Sequence, residues 1–154
     1  MKQLILLLTA LLFSCCSREL DAMESVKNEP ITTTMTQKMY LTIEGRTEEV
    51  SLVTNSATEA LVKKLEQGAI TLTLSSSGGF EIWGALGFSL PTSNQQVNAQ
   101  PGDVVLYNGS NICIFYGTNS WSYSRLGKIQ GLSTSELKAF LKAGESEVKV
   151  TLSL

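Results

Sequence analysis

The chain has 154 residues, 43% of them hydrophobic and 17% charged, with a formal net charge of -2. This composition is typical of an ordinary soluble fold, and the length suits one domain once an export signal and a tether are subtracted. Blocks of like charge do not occur. A nucleic-acid partner is not expected, because nucleic-acid-binding domains carry a basic stripe.

The first 14 residues have the organisation of an export signal. Lys2 supplies a positive charge, an apolar run from Leu4 to Phe13 follows, and the small residue Ser14 precedes Cys15. Such a run is too short to cross a bilayer as a stable helix, whereas these three parts together are what export machinery reads. Residues 1–14 are therefore predicted to be a lipoprotein signal peptide, with Cys15 as the lipidated first residue.

The lipobox is imperfect, and alternatives stay open. Phe13 stands where a smaller side chain is usual, and Cys16 is a second candidate acceptor. A secreted protein without lipid, or an uncleaved anchor, fits the same N-terminus. In the lipoprotein interpretation, Cys15 anchors the chain to the inner or outer membrane of the cell envelope, and the domain faces the periplasm or the cell exterior.

A flexible tether is predicted for residues 15–37, which are polar and have no sustained strand or helix period. About twenty flexible residues span some tens of Å, at roughly 5–6 Å times the square root of the residue count. The folded domain is expected to occupy residues 38–154.

Short strand-like runs separated by turn residues dominate the rest of the chain. An opening hairpin is predicted from Met39–Ile43 and Thr47–Val53 around a Glu44-Gly45 turn. A second hairpin surrounds Asn108-Gly109, with a loop longer than two residues. The predicted strands after the first hairpin are Ile70–Leu74, Phe80–Leu86, Val104–Tyr107, Ile112–Tyr116, Trp121–Ile129 and Val148–Leu152.

Two short helices are predicted, at Ala57–Gln67 and Ser133–Ala143. Each begins with capping-box spacing, Ser56 with Glu59 and Ser133 with Glu136, and each ends at a glycine. The polar segment from Gly87 to Asp103 is predicted to be a loop, a place where function often lies. About eight strands with two helices indicate a barrel or a sandwich.

Four motifs follow one another in a specific order: Phe88–Pro91, Gly102–Tyr107, Ile112–Gly117 and Tyr123–Ile129. In this order they resemble the bacterial cyclophilin-like family, and the resemblance covers residues 38–154. It implies a mainly β fold, a closed antiparallel β-barrel of about eight strands with two short helices. Prolyl isomerases of the cyclophilin type use the same architecture, but fold does not carry activity with it.

No catalytic residue is predicted. The chain has no histidine and lacks the Phe-His-Arg-like strand of the true cyclophilins, so none of their catalytic residues is carried over. Neither a phosphate loop with its helix nor a metal-ligand cluster occurs, so neither a cofactor nor a metal is expected. Cys113 lies in an apolar run and is predicted to be a small buried hydrophobe, not a reactive thiol.

A ligand-binding strip is predicted on one strand. Trp121, Tyr123 and Arg125 have period-two spacing and share a face if the strand is regular, which suits a peptide or a small polar ligand. They belong to a larger set that also includes Trp83, Phe88, Tyr107 and Tyr116. In a small barrel most such aromatic residues fill the interior.

The predicted function is a membrane-tethered binding domain for a protein segment or small ligand, with Tyr107 and Phe88 as further ligand-binding residues. The alternative is a peptidyl-prolyl isomerase of low activity, in which Arg125 beside aromatic rings weakens amide resonance. A structural accessory in an envelope assembly is a third possibility.

The lipid anchor is tested by Cys15→Ser, which we expect to release the protein from membranes. Each buried methylene of an acyl chain contributes about 0.8 kcal/mol, and two or three chains hold a domain that has no other apolar attachment. Fractionation with labelled fatty acid measures this. A variant that is still labelled makes Cys16 the acceptor, and an unlabelled wild type contradicts the lipoprotein interpretation.

Overall fold

A computed structural model of the protein describes residues 37–154. The predicted signal peptide, the predicted lipidation site at Cys15 and all but the last residue of the predicted tether lie outside the described residues. The first strand begins at Lys38.

Nine strands and two helices occupy the described residues. Helix α1 spans Ser56–Leu65 and helix α2 spans Thr134–Phe140. The strands in chain order are β1 Lys38–Ile43, β2 Arg46–Leu52, β3 Ile70–Ser77, β4 Glu81–Ala85, β5 Gln95–Ala99, β6 Asp103–Tyr107, β7 Asn111–Phe115, β8 Asn119–Ile129 and β9 Val148–Ser153.

The strands form one antiparallel sheet that closes on itself. Its order is β2-β1-β9-β3-β4-β7-β6-β8-β5, and β2 also pairs with β8, so eight strands complete a barrel. The ninth strand, β5, pairs with the first half of β8. The predicted closed barrel of about eight strands with two short helices is confirmed.

Side chains that point inward from all eight barrel strands form one hydrophobic core. Because successive residues of a strand point to opposite faces, alternate residues such as Leu72 and Leu74 enter this core. Helix α1 adds Leu61 and Leu65 to it, and α2 adds Leu137 and Phe140, which matches the plugging role expected of amphipathic helices. Neither helix among residues 37–154 is long and apolar enough to span a membrane.

A second, smaller core lies on the outer face of the barrel wall. It consists of the outward-pointing side chains of β6, β7 and β8, covered by β5. The wall is therefore buried on both faces here, which explains why β6 and β7 are continuous apolar runs and do not alternate. Its members are Val97, Ala99, Val105, Cys113, Phe115 and Tyr123, with Phe80 and Tyr107 packed against them.

The predicted turns and most element positions are confirmed. Glu44 and Gly45 both have positive φ in the two-residue turn between β1 and β2, as the favoured hairpin turn requires. In the second hairpin Tyr107 pairs with Asn111, which leaves a loop of residues 108–110. Strand β3 continues to Ser77, beyond the predicted end at Leu74.

Helix α1 begins one residue earlier than its sequence indicates. Its cap is Asn55, not Ser56, because the Asn55 side chain accepts a hydrogen bond from the Thr58 amide at 3.0 Å. The same side chain donates to the Arg125 carbonyl oxygen at 2.7 Å, so a contact with β8 selects the cap. The capping box of Ser133 and Glu136 in α2 is confirmed.

The segment from Gly87 to Asp103, predicted to be a loop, contains the short strand β5. Val97 and Ala99 alternate with exposed residues along it and are buried. This part of the segment forms a strand because it pairs with β8, although its polar composition does not indicate a strand.

Barrel closure depends on a close approach between β2 and β8. The pairs there are Val50 with Ile129, Ser51 with Lys128 and Leu52 with Gly127. A Cβ atom at residue 127 would lie 2.5 Å from the Ser51 carbonyl oxygen and 2.9 Å from Val50 Cγ1. Glycine is therefore required at this position for steric reasons.

We expect Gly127→Ala to lower the free energy of unfolding by about 1–3 kcal/mol, because the added methyl group overpacks the seam. Chemical denaturation of the full chain measures this. Ser122→Ala, on the exposed part of the same strand, is the matched control and should leave stability unchanged. Equal stability of both variants would contradict the role of Gly127 in closure.

Candidate functional site

A cavity of about 240 Å³ opens on the outer face of the barrel, beside the second core. Strands β3, β4, β6, β7 and β8 all contribute to it, so side chains distant in sequence meet there. The lining residues are Ser77, Glu81, Trp83, Tyr107, Cys113, Asn119, Trp121 and Tyr123.

Both tryptophans of the chain line this cavity, and both are exposed to solvent. Trp83 on β4 is 39% exposed and Trp121 on β8 is 57% exposed. Large aromatic side chains are usually buried in small barrels, since their apolar area stabilises the fold. Two exposed indoles at one opening therefore make this cavity the candidate site.

The side of the cavity formed by β6 and β8 is held by aromatic packing. The ring of Tyr123 packs edge-on against Tyr107 at 5.9 Å and against Phe115 at 5.7 Å between centroids. The Tyr123 hydroxyl accepts a hydrogen bond from Asn119 Nδ2 at 2.8 Å. Burial raises the pKa of Tyr123 to about 12, with additional contributions from Glu81 and Cys113, so the phenol is neutral at physiological pH.

Glu81 is the charged residue among those that line the cavity. It is 9% exposed, and its Oε2 atom is buried without a hydrogen-bond partner. Burial raises the pKa of this carboxyl, and a hydrogen bond with the Cys113 thiol opposes that shift only in part. An unpartnered buried acceptor destabilises a fold unless a ligand or a proton satisfies it.

Cys113 is buried in the outer core, as its apolar surroundings in the sequence predict. Burial raises the pKa of the thiol, and the neighbouring Glu81 carboxylate raises it further. A thiol in this state is a poor nucleophile.

Three of the five residues predicted to bind a ligand line the cavity: Tyr107, Trp121 and Tyr123. Arg125 pairs in register with Val105, whose side chain faces the outer core, so the predicted strip does share the outer face. The register of β6 and β8 shifts at this point by a β-bulge, and the guanidinium does not line the cavity. Ligand binding by these residues stays a prediction.

The Arg125 guanidinium forms an ion pair instead. Its Nη1 atom lies 3.3 Å from Asp103 Oδ2, and Lys128 Nζ lies 3.4 Å from Asp103 Oδ1. The Asp103 carboxylate is buried and also accepts a hydrogen bond from the Gln100 amide at 3.0 Å. Arg125 thus has a structural partner, and its exposed part lines a separate polar depression near Asn55.

Phe88 lies apart from the cavity as well. Its ring packs against the barrel core, and the Lys64 ammonium group lies 5.4 Å from the ring centroid. In residues 37–154, groups of three acidic, histidine or cysteine side chains that could hold a metal ion are absent.

Glu81 is the residue that sequence reasoning missed. The available signal is a single acid between Phe80 and Ile82 in an otherwise apolar strand, two residues before Trp83. Period-two spacing places Glu81 and Trp83 on one face, but the neighbours of that face, Cys113 on β7 and Tyr123 on β8, lie some thirty to forty residues later.

We expect Glu81→Gln to stabilise the protein at neutral pH by about 1 kcal/mol, because it removes a buried charge whose Oε2 atom lacks a hydrogen-bond partner. The folded-state pKa of Glu81 is raised. Wild-type stability relative to the variant is therefore fully present below the ordinary glutamate pKa and is lost as the pH rises through the folded-state value.

Thermal and urea unfolding between about pH 4 and pH 8 measure the difference between the two proteins. Glu147→Gln, at an exposed loop position, is the matched control and should show no such pH-dependent difference. A Glu81→Gln variant that is less stable than wild type across the range would contradict the burial argument.

The fold has a counterpart among solved structures. The solution structure of a hypothetical protein from Archaeoglobus fulgidus is similar, with a TM-score of 0.57 and 19% sequence identity, over 77% of this chain and 94% of that one. At this identity the likeness shows the fold alone.

No protein of curated function matches the chain. Residues 41–153 match the sequence model of the Cyclophilin-like family, which confirms the resemblance seen in the motifs. The chain belongs to the cyclophilin-like family.

Proposed function

We propose that the protein is a binding domain and that its ligand occupies the outer cavity. The observation that carries this proposal is the pair of exposed tryptophans, Trp83 and Trp121, at the opening of a cavity that also contains the unpartnered Glu81. Tryptophan is enriched among the residues that dominate binding energy.

The size of the cavity limits what it accepts. Pockets for drug-sized ligands measure about 300–1,000 Å³, whereas this one measures about 240 Å³. One side chain of a protein segment, or one small molecule, fits this space. The remainder of a longer ligand lies against the exposed indole rings.

The domain acts at a membrane surface in this proposal, anchored by lipid at Cys15. The support is the N-terminal sequence alone: a basic start, an apolar run and a cysteine after a small residue. A tether places the cavity some tens of Å from the bilayer, where it captures ligands in the periplasm or outside the cell.

The prolyl isomerase alternative gains no support from the geometry. The donor expected for it is Arg125, and the guanidinium of that residue pairs with Asp103 away from the cavity. An isomerisation assay on a proline peptide tests this alternative directly.

Binding is measurable at the site itself, because the chain has two tryptophans and both line the cavity. The two indole N–H signals in a nitrogen-correlated NMR spectrum of the full chain in detergent are therefore local reporters. In a screen of small fragments and short peptides, we expect the hits to shift both indole signals.

Trp121→Ala should weaken the binding of each hit by about 5- to 30-fold, as loss of a central aromatic contact does. Tyr40→Ala is the matched control, because Tyr40 is an exposed aromatic residue on β1 that does not line the cavity. Hits that shift other regions only, or that bind both variants equally, would contradict the proposed site.

A further inference from the structure

The cavity combines aromatic rings with one buried negative group. Its aromatic lining consists of two indoles and two phenols, and its charged lining residue is Glu81. Lysine and arginine side chains are absent from this lining. The electrostatic character of the site is therefore that of a receptor for a positive group.

Aromatic faces attract cations through the ring quadrupole, most strongly for tryptophan, when the cation lies within about 6 Å of the ring centroid. The cavity of about 240 Å³ is lined by four aromatic residues, so a bound group lies close to more than one ring. Tyr107 and Tyr123 are fixed by their edge-on packing, so these two rings are preorganised before the ligand arrives.

Glu81 provides the second attraction for a cation, in addition to that of the aromatic rings. A cation in the cavity compensates the negative charge of this carboxylate by Coulomb attraction, at a position that is 9% exposed to solvent. Because the carboxylate is already desolvated, the ligand does not have to displace its hydration shell, and the attraction is stronger than in water. The destabilising feature of the free domain thus becomes a favourable contact in the complex.

The hydration of the cation decides which class of cation the cavity favours. A primary ammonium group is a compact, strongly hydrated charge with three N–H donors that need acceptors. A quaternary ammonium group spreads its charge over its alkyl groups, has no N–H donors and presents an apolar surface to the rings. Recognition of such groups by aromatic cages is a known use of the cation–π interaction.

We propose that the outer cavity binds a quaternary ammonium group, held by Trp83, Trp121 and the two tyrosines and neutralised by Glu81. This inference rests on the proposed function, since it names the ligand class of the same cavity. Two sources share the chemistry: a free small molecule such as choline, and a trimethylated lysine side chain of another protein.

The test is titration of the full chain with choline, followed by the two indole N–H signals and by calorimetry. The matched neutral probe is 3,3-dimethyl-1-butanol, which has the shape of choline without the charge. We expect choline to bind at least about tenfold more tightly than the alcohol. A second titration with acetylated trimethyllysine amide distinguishes a free small molecule from a modified protein side chain. The ligand with the lower dissociation constant identifies the source that the cavity fits better.

Two variants test the assigned groups. Glu81→Gln should weaken choline binding by about tenfold or more while leaving binding of the neutral alcohol unchanged. Trp121→Ala should weaken choline binding by about 5- to 30-fold. Tyr40→Ala should leave it unchanged, because this aromatic residue lies outside the cavity.

The pH dependence is a further readout that a purely structural role of Glu81 would not produce. Choline affinity should rise as the pH passes through the titration of Glu81, and it should be flat in Glu81→Gln. The titratable groups that face Glu81 are the Cys113 thiol and the phenols of Tyr107 and Tyr123. Burial raises the pKa of the Cys113 thiol and that of the Tyr123 phenol, so both stay neutral near pH 7 and the change is assigned to Glu81.

The outcomes separate this inference from the proposed function. Equal affinity for choline and its neutral analogue would overturn the cation assignment and leave the cavity as a binding site. Absence of any indole shift with choline and trimethyllysine would also overturn it, and the fragment and peptide screen would then decide the proposed function independently.

Discussion

The seam between β2 and β8 is the constraint on which the rest of the structure depends. Three residue pairs close the barrel there, and the strands approach so closely that Gly127 cannot carry a side chain. Closure pairs β2 with β8, two strands that would otherwise expose free edges at this point of the sheet. It also encloses the interior core, to which all eight barrel strands contribute. The helices only complete a volume that the seam has already defined.

Strand β8 connects this seam to the candidate site. Its 11 residues pair with β5 in the first half and with β6 and β2 in the second. The β-bulge at Arg125 lies between the two halves and bends the strand. Trp121 and Tyr123 belong to the first half, where β5 and β8 cover the outer wall. The buried carboxylate of Asp103 pairs with Arg125 and Lys128 and thereby stabilises this bend. The cavity is thus built by the same strand that closes the barrel.

Local patterns were sufficient for most of the fold and for part of the site. Hairpin turns such as Glu44-Gly45 and the capping box of Ser133 depend on neighbouring residues, so the sequence reveals them directly. Strand β5 and the cap at Asn55 depend on contacts with β8, which local patterns do not contain. The same contrast between local patterns and long-range contacts applies to the candidate site. Trp121 and Tyr123 stand out as aromatic residues two positions apart, whereas the burial of Glu81 depends on its long-range neighbours Cys113 and Tyr123.

The barrel wall beside the cavity is buried on both faces. The residues that line the cavity therefore differ in how well they tolerate substitution. Cys113 and Tyr123 lie in strands packed on both faces, so a substitution there disturbs the outer core and, through the backbone, the interior one. Trp83 and Trp121 project into solvent and support little of either core. Proteins with this fold are therefore expected to vary more at these two exposed positions than at Cys113 and Tyr123, where packing limits the exchange. The side chains at the rim of the cavity and the side chains that stabilise the fold are thus different, even though they share the same strands.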